Sequence, residues 1–188
     1  SPARGAVGYR ADVCDPAALS RNGLRIAFGC SESERAHYID VVRLDDAAAE
    51  PLRLPFKYRA ELAAFDPSGT RLAVALESKT VVVADLNGKG GKGPPSVEFA
   101  QPFSGQIADL SDLQFNDQGT MLVSSSYDGT VRVWDAEAGR QLAVVRPQET
   151  PRAVRFDPTG SQVLILTRSG VLRWECPVCG SAEALVAA

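Results

Sequence analysis

The sequence predicts an all-β protein made of four copies of one antiparallel unit of four strands. The first observation behind this is a recurring phrase: an apolar strand, a four-residue turn closing on glycine, and a second apolar strand. It runs through Ala18-Leu19-Ser20-Arg21-Asn22-Gly23, Ala64-Phe65-Asp66-Pro67-Ser68-Gly69, Gln114-Phe115-Asn116-Asp117-Gln118-Gly119 and Arg155-Phe156-Asp157-Pro158-Thr159-Gly160. The second is the period: the turn glycines are 46, 50 and 41 residues apart, a spacing typical of stacked repeat units. The third is that the apolar runs are short and alternating, while helical spacing is nearly absent.

Each element follows from local chemistry. In Asp-Pro-Ser/Thr-Gly the aspartate bonds back to the backbone, proline presets φ, and glycine takes the left-handed position. Unit one then offers Arg25–Phe28 and Tyr38–Val42 as strands, and unit two offers Leu72–Ala75 and Val81–Val83. Unit three carries the clearest hairpin: Asp128-Gly129 between Met121–Ser126 and Thr130–Asp135, a dipeptide that favours a tight turn between alternating strands. Unit four offers Val163–Leu166 and Val171–Trp174. The linking segments 49–58, 95–102 and 140–146 each hold one more extended run, which makes four strands per unit. The units are drawn at about 10–48, 49–88, 95–137 and 138–176, with a tail at 177–188, in one array spanning 1–188.

On these residues the chain resembles the WD40 repeat family, whose four-stranded units are the blades of a β-propeller. The closest stretch is Asn116-Asp117-Gln118-Gly119 through Asp128-Gly129-Thr130-Val131-Arg132-Val133-Trp134-Asp135; the other units end in Trp174-Glu175, Ala84-Asp85 and Leu44-Asp45. The resemblance implies a propeller, and four units imply part of a larger one. It also implies a buried hydrogen-bonded tetrad of His, Ser/Thr, Asp and Trp. In unit three this becomes Ser126, Asp128 and Trp134, with Gln106 in the histidine place. In unit four it becomes Thr167 and Trp174, with Ser169 in the aspartate place. The tail, Val171 through Gly180 with Glu183-Ala184-Leu185, resembles the end of WD40 regions in large bacterial signalling proteins that carry a STAND-type ATPase or kinase module. The beginning, Ser1-Pro2-Ala3-Arg4-Gly5, reads as a chain cut from something longer.

Composition limits the chemistry. The chain has 188 residues, 45% hydrophobic and 23% charged, with a net charge of −3. That balance argues against wholesale disorder and lacks the basic footprint that nucleic acid or an anionic membrane calls for. No apolar run approaches the roughly 18 residues of a membrane span. The single histidine, His37, reads as an exposed hairpin residue. Gly88-Lys89-Gly90-Gly91-Lys92-Gly93 matches G-x-G-x-x-G, yet Pro94-Pro95 follow it where a phosphate-binding loop needs a helix. Cys176-Pro177-Val178-Cys179 is one knuckle without a second; with Cys14 and Cys30 it reads as ordinary, partly buried thiols, with a disulfide or a metal site as alternatives. No cofactor is expected. Asp66, Asp117, Asp128 and Asp157 are assigned to turns, and Asp45-Asp46 to a solvated strand end.

What remains is surface. By the family's pattern, the residue before the hairpin aspartate emerges where partners dock, which selects Glu77, Tyr127 and Arg168. The expected function is a cytoplasmic, non-enzymatic scaffold or sensor that binds a protein or peptide, with open sheet edges prone to self-association. The competing reading is a propeller-type hydrolase or lyase with its site on the axial face.

Overall fold

The structure, a computed structural model, describes residues 14–33, 36–46, 48–87, 105 and 107–179. It is all-β and consists of four antiparallel sheets. The first contains β1 (Cys14–Leu19), β2 (Arg25–Ser33), β3 (Ala36–Arg43) and β4 (Leu52–Phe56), paired in that order. The second contains β5 (Ala60–Phe65), β6 (Arg71–Leu76) and β7 (Thr80–Asp85). The third contains β8 (Leu110–Phe115), β9 (Met121–Ser126), β10 (Val131–Asp135) and β11 (Gln141–Val145), and the fourth contains β12 (Ala153–Phe156), β13 (Gln162–Leu166) and β14 (Val171–Glu175). The run at 95–102 and the glycine-rich segment at 88–93 lie outside the described residues, as does Gln106. Among the described residues no helix is long and apolar enough to cross a membrane.

Hydrogen bonding phases the sheets differently from the repeat units drawn on the sequence. Leu52–Phe56 pairs with β3 and Gln141–Val145 with β10, so each closes the sheet before it and does not open the next. A short connection after the third strand lets the chain fold straight back antiparallel.

The strands β1, β5, β8 and β12 lie side by side around one cavity, each the innermost strand of its sheet. The hydrophobic core is not a single mass but fills the three interfaces between sheets. Ile39, Leu54 and Phe56 pack on Leu72, Val74 and Val82 between the first and second. Ala73, Ala75 and Val81 pack on Leu122 and Trp134 between the second and third. Val123, Val131 and Val133 pack on Val154, Val163 and Ile165 between the third and fourth. The period of two explains this: alternate residues of β6 enter opposite interfaces, so the whole run Leu72–Leu76 is buried. The two alanines on the side facing Trp134 leave room for its indole.

One device sets all four first turns. The glycine N–H donates to the carbonyl of the first turn residue at 2.9–3.0 Å, and Gly23, Gly69, Gly119 and Gly160 have φ between +68° and +73°. The side chain of that first residue accepts the backbone N–H five positions on. Ser20 Oγ takes Arg25 at 2.8 Å, Asp66 Oδ1 takes Arg71 at 2.8 Å, Asn116 Oδ1 takes Met121 at 3.0 Å, and Asp157 Oδ1 takes Gln162 at 2.8 Å. A hydroxyl, a carboxylate and an amide thus do the same job. Arginines then tie sheets together: Arg25 Nη1 donates to Gly69 O at 2.8 Å, and Arg71 Nη2 to Gly119 O at 2.5 Å.

The cysteines correct the expectation of free thiols. All four are paired, as Cys14–Cys30 and Cys176–Cys179. The register of β1 on β2 sets Cys14 directly opposite Cys30, with Cα atoms 4.2 Å apart. The turn after β14 folds Cys179 back so that its N–H donates to Cys176 O at 3.1 Å.

Candidate partner-docking face

The antiparallel meander sends two kinds of loop to each end of the sheets. One end carries the four glycine turns. The other carries the hairpins β6–β7, β9–β10 and β13–β14, together with the described residues that lead into β5, β8 and β12. Glu77, Tyr127 and Arg168 sit in those three hairpins, all exposed, and so share one end of the array.

Each of these hairpins is fastened to the connection leading into its own sheet. Glu77 N–H donates to Arg59 O and Tyr127 N–H to Asp109 O, both at 2.9 Å. Ser126 Oγ is 3.1 Å from both Ala108 O and Asp109 O. Asp128 Oδ1 accepts the Thr130 hydroxyl and N–H at 2.6 and 2.8 Å, and its Oδ2 accepts Ile107 N–H at 3.2 Å. Burial pushes the Asp128 carboxyl up, but these donors outweigh it and hold the group below the usual aspartate range. In the fourth sheet the roles reverse: Glu149, from the connection, accepts the Ser169 hydroxyl and, at 3.1 Å, its N–H. Those bonds hold Glu149 below the usual glutamate range. Lys79, at φ +63°, reaches Asp109 and lies 3.9 Å from Glu61.

The tetrad carried over by resemblance needs two corrections. Trp134 Nε1 donates to Ser124 Oγ at 2.9 Å, so Ser124 and not Ser126 is its serine. Trp134 faces Leu122 in the ladder, which sets Ser124 nearer to it along β9 than Ser126. In the fourth sheet Thr167 Oγ1 donates to Gly170 O at 3.2 Å, inside its own hairpin, while Ser169 is taken by Glu149. Trp174 packs half-buried against the core of the last interface. His37 also departs from expectation. It lies in β3, half-buried, with Nδ1 2.8 Å from Ser31 Oγ across the strand pair.

Sequence reasoning missed Ile107, which is 86% exposed and bonded to the hairpin of Tyr127, itself 63% exposed. Large apolar side chains this open, on backbone this well tied, are what a docking face offers. Nothing in the apolar pattern marked Ile107, because it precedes the strand instead of alternating within it.

The axial cavity, about 600 Å³, opens at the glycine-turn end and is walled by Leu19, Phe65, Phe115 and Phe156. Its polar lining is occupied: Arg21 pairs with Asp117 at 2.9 Å, Arg155 with Asp112, and Asn116 and Asp157 cap turns. Among the described residues no three His, Cys, Asp or Glu side chains are placed to hold a metal ion.

Sheets of antiparallel strands stacked about a common axis are blades of the β-propeller kind, and the comparisons agree with that class. Residues 98–135 match the family described as WD domain, G-beta repeat. The chain is similar to COMPASS component SWD2 of Saccharomyces cerevisiae, 33% identical over 34% of this chain and 19% of that protein. It is similar to the periodic tryptophan protein 2 homolog of Schizosaccharomyces pombe, 32% identical over 40% of this chain and 9% of that one. It is also similar to human pre-mRNA-processing factor 17, 32% identical over 30% and 10% respectively. The matched stretches therefore span less than a quarter of each of these relatives.

Proposed function

We propose that this chain is a non-enzymatic interaction module that docks a protein or peptide on its hairpin end, around Glu77, Ile107, Tyr127 and Arg168. The observation that carries the reading is the open Ile107–Tyr127 pair, held on loops whose backbone is bonded into the sheets. A rigid presentation of this sort lowers the ordering cost of binding. The yeast relative supports it in kind, since its name designates a component, one part of a larger assembly. The axial cavity is the place for the competing enzymatic reading, and its already paired side chains favour the scaffold.

In a larger signalling protein of the bacterial type the array would act as scaffold or sensor, with catalysis left to another module. A cytoplasmic setting is part of the proposal. There the thiol pool would keep both disulfides open, so alkylation of four cysteines in intact cells supports that placement and alkylation of none opposes it. The docking face is tested with Tyr127→Ala combined with Arg168→Ala. Quantitative capture of partners should collapse while the melting temperature barely moves, and undiminished capture rejects the assigned face.

A further inference from the structure

We propose that the groove between the third and fourth sheets, at the hairpin end, takes an acidic peptide carrying one apolar anchor side chain. The inference rests on the interaction-module reading and names its partner's chemistry. The groove holds about 550 Å³ and lies between the connection that leaves β11, Val145–Glu149, and the hairpin and strand Thr167–Trp174. Its apolar lining is open: Val171 is 60% and Leu172 44% exposed, beside the half-buried indole of Trp174.

The charges around it point to the occupant. Arg146 and Arg173 line the groove, and Arg168 stands between two of its lining residues, Thr167 and Ser169. Arg146, Arg168 and Arg173 are all exposed, and among the described residues none of the three has a carboxylate partner. The carboxylate in the lining, Glu149, is turned onto the Ser169 hydroxyl and N–H. Two unpaired arginines in the lining, with Arg168 in the adjoining hairpin, thus stand against one engaged anion. The glycine-turn end is the opposite case. There Arg21, Arg25, Arg43, Arg71 and Arg140 are all engaged, by Asp117, Gly69 O, Asp45, Asp66 and Asp135 in turn. A chain of net charge −3 that leaves free arginines beside an apolar trough presents a local field for carboxylates. The trough supplies the area for one aliphatic or aromatic side chain between them.

The test is fluorescence anisotropy of the full chain with a short labelled peptide that has leucine at its centre and Asp and Glu on each side. Binding should weaken about tenfold or more in Arg146→Glu/Arg173→Glu and again in Leu172→Asp. Arg43→Glu/Arg140→Glu, an identical charge change at the other end, should leave it unaltered. Thermal melts of every variant confirm folding. Equal binding of the same peptide with serine at its centre, of a lysine-flanked version, or of single-stranded oligothymidylate overturns the proposal, as does no binding at all. The two readings separate cleanly. If the peptide fails while Tyr127→Ala/Arg168→Ala still abolishes capture, the groove is wrong and the face stands. If the peptide binds while capture is unchanged, the groove stands and the wider face falls.

Discussion

Trp134 is the side chain whose removal should reveal most about how the third sheet is held. It is 2% exposed, and its indole N–H meets the hydroxyl of fully buried Ser124 at 2.9 Å. Ser124→Ala deletes that acceptor in a site water does not reach, and an under-satisfied buried donor costs about 1–3 kcal/mol. Trp134→Phe loses the same bond together with part of the packing on Ala73 and Ala75, about 2 kcal/mol. The two changes remove one shared interaction, so the double variant should fall short of additivity by about 1 kcal/mol. In urea, with a slope near 2 kcal/mol per molar, Ser124→Ala should lower the midpoint by roughly 0.5–1.5 M. Denaturation followed by far-ultraviolet circular dichroism in all four proteins gives the cycle. Additive losses would mean that indole and hydroxyl do not act on one another, and the account of the buried pair would have to be abandoned.

Other expectations concern turns, acid and oxidation. Gly119→Ala combines a φ of +71° with a new Cβ 2.8 Å from Arg71 Nη2, whereas Gly129→Ala, at φ +82°, meets nothing within 4 Å. Backbone strain alone costs roughly 1–2 kcal/mol, so scanning calorimetry should show the larger drop for Gly119→Ala. Equal drops would remove the Arg71 tie from the explanation. Asp128 has a folded pKa below its ordinary value of 3.8, so its contribution is present above that value and fades as the pH falls through the lower folded pKa. Asp128→Asn should therefore flatten the acid side of the stability curve below about pH 4; an unchanged profile assigns that limb to other carboxylates. Closing the 16-residue separation from Cys14 to Cys30 constrains the unfolded chain by about 3 kcal/mol in the chain-entropy account, and the separation of 3 at Cys176–Cys179 constrains it less. Cys14→Ser/Cys30→Ser should thus lose more denaturant resistance than Cys176→Ser/Cys179→Ser, and the reverse order would contradict that account.

The parts of this protein written in its sequence are those whose physics is local. A turn such as Asp66-Pro67-Ser68-Gly69 closes on itself, with its own side chain accepting the N–H of Arg71. An Asp128-Gly129 hairpin needs only its neighbours, and alternation assigns strands because side chains point to opposite faces in steps of two. The period and the place of the inner strands and their turns follow from that, while Glu77, Tyr127 and Arg168 are selected through the family's pattern. Tertiary structure alone decided what depends on register and on distant segments meeting. Ladder pairing chose Ser124 over Ser126 for Trp134, joined Cys14 to Cys30, and returned Leu52–Phe56 to the sheet before it. Folding tied Ile107 to the hairpin of Tyr127 and set Arg146 and Arg173 along a shared trough. These are relations between residues far apart in the chain, and no short-range preference encodes them.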